Sequence, residues 1–349
     1  MKLPGCDGLV NPFFEAGNRG KRSIGLDLTQ EAGREHLYRL LENTDVFLTN
    51  MRADARQKLG IEPADLMKRN LRLIYARGTG YGLHGQLAND GGFDYPSAWC
   101  RAGAASNQTF PSDEPPKQPG SIGDLTGGVT LAVAAALFRR ERTGKGAVVD
   151  NALYLVGSYL MSQSLLAASI GAPLIPSERQ KDSPFALANY RTRDGRWISI
   201  GVLMDKWWSD FVAHIERPQL LDDPRFKDAA GRHVNSRELV GELNEVFATR
   251  NYADWCQKLA TMECVWAPVQ TPAEVLADPQ ALENGFVSLV QIDGGQEYLT
   301  GMSPAQFDER PIGALRAGPA FAQHTDEVLR ELGLNDDELA SLREAGVVR

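Results

Sequence analysis

The sequence predicts an α/β layer fold followed by a smaller α+β unit. Three observations carry this. Short apolar runs alternate with segments of helical period from Ser23 to Val149, a glycine-rich loop follows one of those runs, and after residue 183 the pattern changes to hairpins and amphipathic helices.

The chain has 349 residues, of which 43% are apolar and 23% charged, the composition of an ordinary globular protein long enough for two cored units. Its net charge of −8 argues against a nucleic-acid partner, which would select a basic surface. Cys6, Cys100, Cys256 and Cys264 have no C-x-x-C spacing, so neither a zinc site nor a disulfide framework is indicated, and a reducing cytoplasm fits. No apolar run approaches roughly 20 residues and no signal-peptide pattern opens the chain, so neither a membrane span nor export is expected.

Taken in order, the basic cluster Arg19-Gly-Lys-Arg22 precedes Ser23–Leu28, which alternates like a strand, with Thr29 placed to cap the next helix, Gln30–Glu42. Asp45–Asn50 reads as a buried strand, and the strand-helix-strand order suggests a right-handed parallel crossover. Helices over 53–59 and 63–69 lead to a strand over 71–76 and the loop Arg77–Gly92. That loop contains neither G-x-G-x-x-G nor G-x-x-x-x-G-K-[ST], so no dinucleotide or P-loop site is expected, and its glycines let the backbone pass close to something. A buried helical segment starts at Phe93, and residues 107–118 form a polar, proline-rich surface loop. Further on, a single helix is expected over 153–170 and a linker over 171–183. Tyr190–Val202 is a hairpin turning at Asp194-Gly195, helices follow over 205–215, 236–248, 252–261 and 272–276, a second hairpin turns at Asp293-Gly-Gly295, and two short helices close the chain.

The stretch Pro119–Ala152 holds the candidate chemistry. A glycine-flanked loop carries Asp124 ahead of an apolar helix with many alanines, which is expected to pack closely on all sides and to hold Asp124 rigid and partly desolvated. Two roles stand open on these residues: a helix N-cap, or a nucleophile whose acyl anhydride is highly activated and whose oxyanion is met by helix and glycine N–H groups. Asp150 is placed to cap the following helix. The five histidines are dispersed, with no metal-binding spacing and no nucleophile elbow nearby; His84, in the glycine-rich loop, is read as a solvent-exposed loop residue. Lys21, Arg22 and Lys58 read as surface charges.

Several of these segments, in this order, resemble the family III CoA-transferases, the CaiB/BaiF group: Asn18–Leu28, Asp45–Asn50, Asn70–Tyr75, Gly123–Gly128, Arg142–Gly146, Asp223–Phe226 and the closing His324-Thr-Asp-Glu-Val-Leu. The resemblance covers nearly the whole chain. It implies a Rossmann-like large domain over 1–183, a small α+β domain over 184–300 and a return to the large domain over 301–349, in a homodimer whose chains interlock. Asp124 stands where the family has its nucleophilic aspartate, so the implied activity is ping-pong transfer of CoA from an acyl-CoA to a carboxylic acid, without metal or nucleotide cofactor. CoA contacts are implied at Leu26–Thr29, at Asn50, Met51 and Arg52, at Lys58 near the adenine, and at Gly92, Phe93 and Asp94 near the acyl group.

Two departures qualify what the resemblance implies. Family chains begin with roughly one further βαβ-sized unit, which supplies part of the active site, and this sequence is expected to start after it. The family's α-methylacyl-CoA racemases pair an aspartate with a histidine in a G-H-D-x-x-Y segment; here that segment is Gly92-Phe-Asp-Tyr-Pro96 and lacks the histidine. Racemisation needs an acid and a base on opposite faces of the α-carbon, so the transferase reading is preferred. A racemase using His84, or a non-catalytic CoA-binding homologue, are the alternatives. Phe93, Tyr95 and Trp99 suggest an apolar acyl pocket.

Overall fold

Alternate residues of one strand divide the first core into two layers. Ile74–Thr79 (β2) lies between Val46–Thr49 (β1) and Ala147–Ala152 (β3) in a three-stranded parallel sheet, with Val46 opposite Ile74 and Ile74 opposite Ala147. Tyr75 and Phe47 face one layer, where they pack with Leu41, Ile61, Leu66 and Leu73; Ile74, Ala76 and Val149 face the other. Successive side chains point to opposite faces, both covered at the start of β2; on the outer strands Leu48 and Val148 are exposed, so the strand expected to be buried over 45–50 is buried only in part. The computed structural model describes residues 11–109, 113–125, 127–171, 185, 187–292, 295–311, 313 and 316–349.

Pro12–Asn18 (α1) opens the described chain and Glu31–Leu41 (α2), Ala53–Lys58 (α3) and Pro63–Leu66 (α4) follow. After β2 come a π-helical turn, Tyr95–Cys100, and the short helices Ala104–Asn107 (α5) and Ile122–Leu125 (α6). Gly128–Thr143 (α7) then lays Val129, Ala132, Val133, Ala136 and Leu137 on the sheet, an apolar stripe at helical spacing. It ends at Gly144, whose φ of +72° suits the left-handed cap. Leu153–Leu160 (α8) and Ser162–Ser169 (α9) follow β3.

The compact units are Met1–Gln108 with Pro115–Pro173 and Leu282–Arg349, and Thr109–Glu114 with Leu174–Ala281. The small domain is expected to extend to residue 300; the hairpin Val287–Gln291 (β7) and Glu297–Gly301 (β8) groups with the first unit. In the second unit, Leu187–Arg191 (β4), Trp197–Gly201 (β5) and Val265–Pro268 (β6) form an antiparallel sheet. Tyr190 stacks on Phe247 at 4.9 Å within its aromatic-rich core. The β4–β5 turn falls at Asp194-Gly195 as expected, with Gly195 at φ +81°.

Several expectations are corrected. Ser23–Leu28 is no sheet strand: it forms a single antiparallel bridge, Leu26 to Val348, with Asp27 N–H donating to Val347 O at 2.8 Å. The closing helices Thr325–Glu331 and Asp336–Glu344 bring Leu329, Leu339, Val347 and Val348 to this segment, which therefore pairs with the chain's end. Thr29 caps no helix; α2 starts after Gln30, and the Thr29 N–H and hydroxyl both donate to Asp27 Oδ1. The strand expected over 71–76 begins at Ile74, because Asn70 ties the preceding turn to Leu41 O and Thr44 O. The helix expected over 153–170 breaks at Met161. Asp150 caps nothing; it lies in β3 and pairs with Arg77. The linker expected over 171–183, beyond Gly171, and the Asp293-Gly294 part of the second hairpin turn lie outside the described residues.

The apolar helix expected to be enclosed on all sides is α7, and within the single chain it is not. Leu131 and Phe138 are 75% and 65% exposed, and Leu155, Tyr159 and Ile170 on and after α8–α9 are similarly bare. Helix stripe and sheet account for one face only. By length and composition alone Ile122–Thr143 could cross a membrane, against the sequence expectation, but Arg140 in it is buried and paired with Asp45 at 2.8 Å.

Candidate active site

Because β1, β2 and β3 are parallel, their carboxyl ends, Thr49, Thr79 and Ala152, share one edge, where open α/β sheets bind ligands. Just past that edge Gly80 and Gly92 meet backbone to backbone. A Cβ on Gly92 would lie 2.4 Å from Gly80 Cα and 2.8 Å from Ser97 Oγ, so neither glycine can carry a side chain without moving its neighbour. This is the close passage the glycine-rich loop predicted. The contact delivers the chain into the π-helical turn, whose Trp99 donates to Pro116 O at 2.8 Å and packs with Tyr95, Ile122, Ala104 and Ala105.

Asp94 lies immediately before that turn and is buried. Its oxygens accept the Gly123 N–H at 3.1 and 3.2 Å, and Oδ2 accepts Gln118 Nε2 at 2.7 Å. Gln118 also donates to Gly120 O at 3.0 Å. The loop leading into α6 is thus held at three points: Ile122 by apolar packing, Gly123 by Asp94, and Gly120 by Gln118.

Asp124 follows Gly123 and its side chain reaches solvent, a correction to the enclosed position expected. Neighbouring atoms still strip part of its hydration, and this, with the Asp94 charge second, raises its carboxyl above the usual range. It does not cap α7, whose N-cap is Gly127 at φ +72°. Of the two roles the residues left open, the helix cap is therefore removed.

The other implied site residues divide into groups. Asn50, Met51 and Arg52 are exposed in the turn after β1, and Asn50 Cβ lies 3.7 Å from where a Cβ on Gly78 would stand. Met51 is fixed by its backbone: its N–H donates to Thr49 Oγ1 at 3.2 Å and its carbonyl accepts Arg56 Nη1 at 2.5 Å. Arg56 is 2% exposed and also bonds Glu62 at 3.0 Å. Lys58 is exposed at the end of α3. Leu26 and Thr29 are held by the chain's end and by the Asp27 turn. Gly92 packs on Gly80, Phe93 is 81% exposed, and the Asp94 carboxylate is turned onto Gly123 and Gln118. Trp99, expected in an apolar pocket, is instead core beneath α6. Among the described residues no group of three or more His, Cys, Asp or Glu could hold a metal ion.

Gln118, Ser97 and Arg56 escaped the sequence reading. Gln118 sits in a loop read as surface, Ser97 carries no motif, and Arg56 looks like any helix-surface cation; burial distinguishes Ser97 and Arg56, and its bond to Asp94 distinguishes Gln118.

The family model for CoA-transferase family III matches residues 5–325. The chain belongs to this family. A family III CoA-transferase relative, the (R)-2-hydroxy-4-methylpentanoate CoA-transferase of Clostridioides difficile, is 29% identical over 352 residues, covering 100% of this chain and 88% of the relative. A protein of Mycobacterium tuberculosis named as a probable fatty acyl-CoA transferase is 33% identical over 319 residues, 87% of this chain and 80% of the relative. An orthorhombic crystal structure of that protein superposes with a TM-score of 0.78 at 30% identity, covering 93% of this chain and 86% of that one. The human alpha-methylacyl-CoA racemase is 28% identical over 339 residues, 95% of this chain and 85% of the relative. The relatives of this chain thus include proteins named for both chemistries weighed above.

Proposed function

We propose that this chain transfers CoA from an acyl-CoA to a free carboxylic acid, with Asp124 as the covalent carrier. The observation that carries the reading is the state of Asp124: a solvent-reaching carboxylate, not used as the cap of α7, on the short helix α6 whose Gly123 is held by Asp94. A raised carboxyl pKa makes the carboxylate a better nucleophile once ionised.

The steps balance without proton, water or redox partner. An Asp124 oxygen attacks the thioester carbonyl, the C–S bond breaks, and an aspartyl-acyl anhydride and CoA thiolate form. The thiolate attacks the aspartyl carbonyl and releases the donor acid, leaving an aspartyl-CoA thioester. The acceptor carboxylate attacks that thioester, and the freed thiolate takes the new acyl group and restores Asp124. The N–H groups at the start of α7 have no partner within the helix and favour the developing oxyanions. Asn50, Met51, Arg52 and Lys58 offer polar and cationic groups to CoA, and Leu26 and Thr29 remain assigned to it by resemblance alone.

The same reading pairs two copies of the chain, the bare faces of α7, α8 and α9 being of a kind that monomers seldom leave exposed. The racemase alternative is disfavoured because Phe93, which cannot move a proton, stands in the segment that would carry the base, and His84 is an exposed loop residue. Incubation with hexanoyl-CoA in deuterated buffer tests both: an aspartyl-CoA adduct on the Asp124 peptide supports transfer, and α-proton exchange without an adduct favours the racemase. Undiminished transfer by Asp124→Ala overturns the assignment.

A further inference from the structure

The Asp94 carboxylate is buried, and among the described residues its hydrogen-bond partners are neutral, the Gly123 N–H and the Gln118 amide. A buried anion satisfied by neutral donors is costly to keep, so its place calls for a role. Both oxygens are turned onto the protein's own Gly123 and Gln118, whereas the resemblance implies a contact near the acyl group of CoA. A Cβ on Gly123 would sit 2.1 Å from Asp94 Oδ1 and 2.8 Å from Ala98 Cβ, so the bare Gly123 peptide is seated directly on the Asp94 carboxylate and the turn behind it.

We propose that Asp94 is a positioning residue that fixes Gly123 and, through it, the adjoining nucleophile Asp124. The inference rests on the transferase reading. Two contacts tie the loop to one carboxylate: the Gly123 N–H holds the residue next to the nucleophile, and Gln118 carries the hold on to Gly120. Charge–charge repulsion from Asp94 adds to lost hydration in raising the Asp124 carboxyl. The elements packed against α6 are the π-helical turn and α8. Their titratable groups are Tyr95, Cys100, Tyr154 and Tyr159, with Arg101 at the end of the turn stacked over the Tyr81 and Tyr154 rings. Asp94 is the anionic carboxylate among these neighbours.

Asp94→Asn and Asp94→Ala separate the hold from the charge. The Asn variant, with its oxygen at the Oδ2 position, keeps an acceptor for both the Gly123 N–H at 3.2 Å and Gln118 Nε2 at 2.7 Å. Three readings are taken on wild type and both variants: hydrogen exchange of the 119–125 peptide, the pH midpoint at which a carbodiimide labels Asp124, and the rate of aspartyl adduct formation with hexanoyl-CoA. Asp94→Ala is expected to speed exchange at least tenfold and slow adduct formation about 100-fold, as loss of orientation does. Asp94→Asn is expected to leave exchange near wild type while moving the labelling midpoint to lower pH. Unchanged exchange in Asp94→Ala, or exchange in Asp94→Asn as fast as in Asp94→Ala, overturns the proposal, and neither reading requires turnover. Absence of an adduct in the wild type overturns the transferase reading itself, a separate and distinguishable result.

Discussion

Gly123 and Asp94 meet with no room for a side chain between them: the Gly123 N–H donates to both carboxylate oxygens, 3.1 and 3.2 Å away, and a Cβ would come within 2.1 Å of Oδ1. Gly123→Ala must displace either the buried carboxylate or the loop. Overpacking of this kind costs about 1–3 kcal/mol, read as a lower Tm. Misplacing the nucleophile should reduce kcat roughly 100-fold. Because Asp94→Ala removes the obstacle, the double variant is expected to fall short of the sum of the two losses, and strict additivity would show that the two residues are not coupled.

Transfer is expected to rise with pH through a carboxyl group titrating above the ordinary aspartate range, since only ionised Asp124 attacks. The folded chain holds this proton more tightly than the unfolded chain, so ionising Asp124 costs stability; the cost is absent below the ordinary pKa and complete above the raised one. Asp124→Asn should therefore abolish transfer while leaving Tm at neutral pH equal or higher, the difference closing as pH falls. Thermal melts across that range measure it, and a lower Tm for the variant at neutral pH would contradict the assignment of sign.

Arg56 is 2% exposed and joins Met51 O to Glu62, fixing the turn that carries Asn50–Arg52. Arg56→Ala leaves the carbonyl without this donor and takes from Glu62 its 3.0 Å partner, leaving the α4 capping-box bond and the 3.8 Å Arg77 contact, a loss of about 1–3 kcal/mol given that Glu62 keeps some solvent. If the turn binds CoA, KM for acyl-CoA rises more than kcat falls. Arg56→Lys is not expected to restore KM, because one ammonium cannot reproduce the two-directional guanidinium contact.

Sedimentation velocity is expected to give twice the 38.2 kDa chain mass. Leu131→Lys combined with Phe138→Lys places two charges on the bare face of α7 and should shift the protein to monomer, with helix content by circular dichroism unchanged because neither residue faces the sheet.

Periodicity made the layers legible: the apolar spacing of α2 and α7 and the short runs at β1 and β2 named the right elements within a few residues. What it could not show was partnership. Ser23–Leu28 alternates as a strand should, but its partner is Val348, more than 300 residues away, and a single bridge is all that forms. The exposure of α7 was invisible for the same reason, since an apolar helix reads alike whether its second face meets its own chain or another. At the site, Asp124 and its glycines stood out by motif, whereas the hold of Asp94 and Gln118 on the loop depends on contacts between residues 24 and 29 apart that no spacing rule encodes.

Oxygen labelling tests the central claim most directly. When an acceptor acid bearing 18O in its carboxylate is turned over with hexanoyl-CoA, the bridging oxygen of the second anhydride must stay on the enzyme. The account predicts that, after one turnover, the peptide containing Asp124 gains the mass of a single 18O substitution, located on Asp124. Transfer that proceeds while this peptide remains unlabelled would contradict a covalent role for Asp124.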